Sequence, residues 1–186
     1  QGNNITNRNI RAVNMSFGGG RYTAPCPSDN LADPISQLKD REVLTAVASG
    51  NNAFKDSIAS PACIPDAISV GAVYDQNFQQ VCWDSDPLCQ QFLCRDTCGT
   101  PCQTGSNQVA CASNSSTFLS ILAPGCEITA AGSALCGTSQ AAPHVAGAIA
   151  AISSATGLHS ENIRKLLTTS GVSVTDSRNS IAKQRL

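Results

Sequence analysis

The amino-acid sequence predicts an α/β fold, a parallel β-sheet with helices on both faces. Two observations carry that prediction. Four short segments are apolar almost throughout, where half-buried strands would alternate with polar residues, and this is the pattern of strands covered on both sides. Stretches with helical spacing lie between and after them. At 186 residues, 41% of them hydrophobic, the chain has room for one medium domain with a packed core.

The first predicted strand is 11–17 (RAVNMSF), which runs into Gly18-Gly19-Gly20. Ile35 and Leu38 fall at helical spacing in 34–40, giving a short helix. The second strand is 43–49 (VLTAVAS), stopped by Gly50-Asn51-Asn52, and the third is 67–73 (AISVGAV). The fourth, 118–123 (FLSILA), ends at Pro124-Gly125. Alanine and glycine fill a helix over 139–153, with Pro143 expected in its first turn, where a missing N–H is tolerated. A last helix is expected to be capped by Ser160, to carry Ile163, Leu166 and Leu167 on one face, and to be closed by Gly171.

Twelve basic against thirteen acidic residues leave a net charge of −1 with no basic run, so neither nucleic acid nor an anionic membrane has an electrostatic footing. The longest apolar stretch, 141–152, is interrupted by Pro143 and His144 and is too short to span a bilayer. The opening ten residues are polar and unlike a signal peptide, so the sequence reads as a mature product or an internal piece. Ten cysteines, an even number, argue for disulfides and an oxidising, extracellular compartment. A zinc site is the rival reading, but there is no Cys-x-x-Cys pair, and His144 and His159 lie outside the cysteine-dense stretch. Six cysteines fall between Cys82 and Cys111, in a segment without helical or strand period. It reads as a stapled surface insertion over about 76–107. The pairing is not deducible, and Cys26 is free to bond outside the chain. Asn4 and Asn114 begin glycosylation sequons relevant to a eukaryotic secretory route; Asn14, in a predicted core strand, is expected to stay unmodified.

The most informative run is 137–147 (GTSQAAPHVAG). Ser139 stands in the first turn of a buried helix, where unpaired amide N–H groups and the helix dipole favour developing negative charge. Alone, such a serine is more commonly a helix cap. Four other runs accompany it: 13–19 (VNMSFGG), 47–51 (VASGN), 60–73 (SPACIPDAISVGAV) and 121–125 (ILAPG). In this order the five blocks resemble those of the subtilisin-like serine peptidases (the S8 family). GTSQAAPHVAG is similar to the block around the family's nucleophile, VASGN to the turn that presents its oxyanion-hole asparagine, and VNMSFGG to its substrate-binding strand. The other two resemble core blocks. Outside the insertion the resemblance covers most of the chain. The G-x-S-x-G elbow of α/β-hydrolases is absent, because position 141 is alanine.

The resemblance implies roles. Ser139 would attack the scissile carbonyl of a polypeptide substrate and form an acyl-enzyme. Asn51 and the Ser139 amide would donate to the oxyanion. Ser16, Phe17 and Gly18 would pair with the substrate backbone as an extended edge. Ala48, Ser49 and Gly50 would line one wall of the pocket for the residue before the cut. For each, the local alternative is ordinary strand or turn. No cofactor is implied. Many relatives use an aspartate just before the ILAPG-like block to help bind calcium; here that position is Ser120, so calcium is not expected.

A serine nucleophile needs a base, and the base a carboxylate. The family's Asp-Thr/Ser-Gly strand and His-Gly-Thr-His-Val-Ala-Gly helix do not occur in this sequence. His144 follows Ser139 on the same helix at about 140° of rotation and about 7.5 Å of rise, and His159 lies about 30 Å along it, so neither reaches the hydroxyl. The sequence is therefore expected to be the C-terminal part of a longer catalytic domain. Its sheet would be incomplete on the N-terminal side, with the missing part as partner, and it would be inactive alone. The function implied is that of a secreted serine endopeptidase. The alternative is a non-catalytic relative binding an extracellular protein through the cysteine-rich insertion. Cys126 and Cys136 flank the Ser139 block, as a disulfide or as free thiols.

Overall fold

The computed structural model describes residues 9–77 and 105–186. Along the chain these form β1 (Ala12–Met15), β2 (Gly19–Tyr22), α1 (Ala32–Lys39), β3 (Leu44–Ala48), β4 (Ile58–Ser60), β5 (Ile68–Val73), β6 (Ile121–Pro124), β7 (Ile128–Ala130), β8 (Ser133–Leu135), α2 (Thr138–Thr156), α3 (Ser160–Thr169), β9 (Val172–Thr175) and β10 (Ala182–Arg185). Six strands make one sheet in the order β1-β3-β5-β6-β10-β9. Every neighbour pair is parallel except β10 with β9.

Every residue of β3 and β5 is buried, as their unbroken apolar sequences require. Their side chains alternate between two core layers. Leu44, Ala46 and Ala48 of β3 join Ala141, Ala142, Val145 and Ile149 of α2 and Ile163 and Leu167 of α3. Val47 points the other way, into a layer with Ile35 of α1, Ile58, Leu119 and Val174. The alanines of α2 let its axis come close to the sheet, so the start of that helix is fixed against the strand ends. Burying one side chain such as Ile149 is worth about 1.5–3 kcal/mol.

The predicted sheet and three helices are present, with several local differences. α2 begins one residue early and ends at Gly157, a left-handed cap (φ 65°) whose amide donates to the Ser153 carbonyl. Pro143 thus sits inside the helix, beyond its first turn. Ser160 does not cap α3: it is the first helical residue, and its amide donates to the Glu42 carboxylate at 2.6 Å. Leu166 is exposed, leaving Ile163 and Leu167 as the buried face. Gly171 does not close α3, which ends with Ser170 in an extended conformation. β2, the β7–β8 ribbon and the β9–β10 pair carried no sequence signal, because three or four residues with few of them buried display no period, and buried β4 is only three residues long.

Cys26 bonds within the chain, to Cys63, and pins the loop after β2 to the turn after β4. Asn14 is exposed on β1 and lies outside the core, whereas Asn114 is wholly buried and no candidate for glycosylation. Asn4 and, except for its ends, the cysteine-rich stretch 76–107 lie outside the described residues. Those ends meet. Tyr74 N–H donates to Gln108 O, Asn107 N–H to Tyr74 O, and Ser106 N–H to Asn77 Oδ1, all within 2.9 Å. On the opposite flank of the sheet β1 pairs with β3 alone, and its other edge is open among the described residues.

Candidate active site

Asn51 lies in the turn after β3, and that turn is hydrogen-bonded to the start of α2. Asn51 Oδ1 accepts from the Thr138 amide at 2.9 Å and from the Thr138 hydroxyl at 3.0 Å. Thr138 Oγ1 accepts in turn from the Gly50 amide at 3.2 Å. The oxygen end of the Asn51 amide is thereby committed, while among the described residues Nδ2 has no acceptor. That nitrogen lies at the N-terminus of α2, 3.1 Å from where a Cβ on Gly137 would be. Gly50 must be glycine: its φ is +102°, and a Cβ there would be 2.4 Å from Asn114 Nδ2.

Ser139 and Ser16 exchange hydrogen bonds. The Ser139 hydroxyl donates to Ser16 O at 3.1 Å, and the Ser16 hydroxyl donates to Ser139 O at 2.8 Å. The second bond has a clear origin, since Pro143 has no N–H for the carbonyl four residues earlier, which is that of Ser139. A proline inside the helix thus recruits Ser16, in the segment that follows β1. These bonds tie Ser16 to Ser139, and Asn51 to Thr138, the residue just before Ser139.

Phe17 is 58% exposed next to it. Gly18 packs so closely that a Cβ would be 2.6 Å from Ser60 O. Ser60 is itself anchored by its hydroxyl to Asp29. That bond and the Leu31 amide hold the Asp29 carboxyl below its ordinary range. Gly18 and Gly50 both abut the methyl of Ala59, at 3.3 and 3.2 Å from their ideal Cβ positions. Ala48 and Ser49 are buried, and Ser49 Oγ donates to Asn114 O at 3.0 Å. Their side chains do not line an open wall, so at 48–50 only backbone and the Gly50 face are left for a ligand. Next to Ser139 opens a cavity of about 360 Å³ with Ile128, Leu135, Gln140, Pro143 and His144 in its lining.

His144 Nδ1 lies 2.8 Å from Gln140 O on its own helix, and His159 is largely exposed beside Glu42. Neither meets the Ser139 hydroxyl, whose partner is a carbonyl. Two residues of this framework escaped the sequence reading. Thr138 latches the Asn51 turn. Asn114 accepts the Asn52 and Phe54 amides on Oδ1 and donates to Ser49 O from Nδ2. It lies in a wholly polar run, Ser113 to Ser116, that is buried throughout, a pattern no hydrophobic period could reveal.

Comparison with known proteins shows the family. The subtilase family model matches residues 2–184. The chain is 31% identical over 186 residues to subtilisin-like proteinase Mp1 of Magnaporthiopsis poae, covering 91% of this chain and 37% of that protein. It is 32% identical over 151 residues to subtilisin BL of Lederbergia lenta, covering 78% and 43%. A cold-adapted subtilisin-like serine proteinase of known crystal structure superposes with a TM-score of 0.62 at 26% identity, covering 93% of this chain and 53% of that one. The chain spans less than half the length of these curated relatives. On the family match and these likenesses, the chain belongs to the subtilase family.

Proposed function

We propose that this chain carries the nucleophile and oxyanion half of a serine endopeptidase. The observation that carries the reading is the latch of Asn51 Oδ1 onto Thr138, which leaves Nδ2 over the helix start beside Ser139. Ser139 Oγ attacks the carbonyl carbon of a peptide bond lying along 16–18. The oxyanion is held by Asn51 Nδ2 and the Ser139 amide, the amine leaves, and water releases the acyl group. The Ser16 carbonyl that now holds the hydroxyl proton cannot carry it away. We assign the base and its carboxylate to a preceding part of the same domain, docked on the open edge of β1. The short span relative to the curated relatives supports that assignment.

We assign no calcium ligand to position 120. Ser120 Oγ accepts the Ser69 amide at 3.2 Å and bonds the Ser69 hydroxyl at 3.1 Å, so it is engaged in strand pairing, and a neutral hydroxyl does not replace a carboxylate ligand. The Cys26–Cys63 disulfide favours an extracellular setting, and no helix among the described residues is long and apolar enough to cross a membrane. The alternative of a binding module rests on the insertion, outside the described residues. Fluorophosphonate labelling tests the reading. The chain alone should stay unlabelled, a domain completed with the Asp and His segments should label, and Ser139→Ala should abolish the signal. Serine-dependent labelling or casein cleavage by the chain alone would refute it. In the completed domain, Asn51→Ala should lower turnover by about two to three decades.

A further inference from the structure

Cys126 and Cys136 stand at the base of the β7–β8 hairpin, where the two sides are unequal. Gly137 N–H donates to Gly125 O at 2.7 Å, and the first ladder pair above it is Ile128 with Leu135. Two residues, Cys126 and Glu127, therefore face one, Cys136, which is the residue count of a β-bulge. Glu127 adopts a φ of 53° there and donates its amide to Cys136 Sγ at 3.2 Å. In a regular ladder, residues offset by one register step point to opposite faces. The bulge cancels that offset and brings the two cysteines together at the hairpin base, where each affects the other's titration. Neighbours across antiparallel strands have Cα atoms about 4.5–5.5 Å apart, within the disulfide range of about 4.4–6.8 Å.

We propose that Cys126 and Cys136 are a redox couple that closes to a disulfide across the hairpin base and staples the wall facing Ser139. The two thiols are unequal in the way stepwise exchange requires. Cys126 is buried, and its thiol is pushed up by its bond with Cys136 and by burial; Cys136 is partly exposed, and its thiol is lowered by Cys126 and the Glu127 amide. The oxidant is a small soluble disulfide of the glutathione type. Cys136 thiolate attacks one of its sulfurs, forming a mixed disulfide and releasing one thiol. Cys126 then gives up its proton and attacks Cys136 Sγ, and the second small thiol leaves. The protein loses two electrons and two protons, and the soluble disulfide becomes two thiols. Ile128, Ala130, Ser133 and Leu135 of the hairpin line the cavity at Ser139, so the bond fixes that wall. The couple needs only residues 125–137 and holds whether or not Ser139 is ever activated.

The test uses the whole chain, equilibrated with glutathione disulfide, blocked with an alkylating agent and cut after glutamate. No Lys or Arg lies between Arg95 and Arg164, but Glu127 separates the two cysteines, so cleavage there leaves them on different peptides. We expect those peptides to appear joined, two hydrogens lighter than their sum, and to separate on adding excess reduced glutathione. The joined pair should vanish in Cys136→Ser. Scoring only molecules with Cys26 and Cys63 linked removes misfolded protein. Alkylated Cys126 and Cys136 in those molecules, or either one joined to a different cysteine, would overturn the proposal.

Discussion

Asn114 illustrates how much one buried amide can hold. Its Oδ1 satisfies two backbone N–H groups of the 52–54 turn, and its Nδ2 satisfies the Ser49 carbonyl. Asn114→Ala leaves those groups without partners away from water, at about 1–3 kcal/mol for each buried group orphaned. A loss of about 3 kcal/mol is expected, read as a lower urea midpoint with unchanged slope. Thr138 divides differently, because its hydroxyl both donates to Asn51 Oδ1 and accepts the Gly50 amide. Thr138→Val should therefore slow labelling of the completed domain while Thr138→Ser preserves it, since the latch depends on the hydroxyl and not the methyl. Equal rates for the two variants would remove Thr138 from the positioning machinery. In the sequence, Ser139 and Asn51 were noticed as candidates because each sits in a distinctive run. Asn114 and Thr138 were not, because their importance lies in partners that are distant along the chain.

Elements were legible in proportion to how one-sided their chemistry is. β3 and β5 declare themselves because two covered faces demand an apolar residue at every position. β7, β8 and β10 do not, since short ribbons owe their existence to pairing geometry, which leaves little mark on composition. Pro143 was visible, but expecting it in the first turn hid its effect: with α2 starting at Thr138 it lies past the four free amides and leaves the Ser139 carbonyl without a helical partner. This makes a cycle with a definite outcome. Ser16→Ala should cost about 1 kcal/mol in the native background. With Pro143→Ala, which restores an N–H to the helix, the same change should cost nearly nothing; full additivity in thermal unfolding would disprove the exchange. The β9–β10 turn gives a pH prediction. Burial works to raise the Asp176 carboxyl, but Arg178, bonded at 2.7–2.8 Å, outweighs it and the group is lowered overall. Its contribution is thus complete above the ordinary carboxylate range and is lost as pH falls through the depressed value. Asp176→Asn should lower stability at neutral pH and flatten the acid limb of a stability–pH curve.

On the scale of the molecule, among the described residues the sheet ends in an antiparallel strand at β9 and in a parallel strand at β1. An unpaired parallel edge beside exposed Ile10 and Phe17 invites pairing with another chain. The chain alone should therefore associate as its concentration rises, and adding the preceding part of the domain should return a single smaller species in sedimentation. A monodisperse monomer at high concentration would argue against the docking edge. Ordered blocks in the sequence revealed the family and the candidate serine, and the proposed base was legible only as the absence of the Asp and His motifs from this sequence.

The meeting of Tyr74 with Gln108 and of Asn77 with Ser106 has a practical corollary. That bridge is made by main chain and a single amide side chain on the rim, so the two feet are held together by their own hydrogen bonds. A short polar tether in place of 78–104 should leave strand register and melting behaviour nearly untouched, which makes the position a port for grafting foreign cargo.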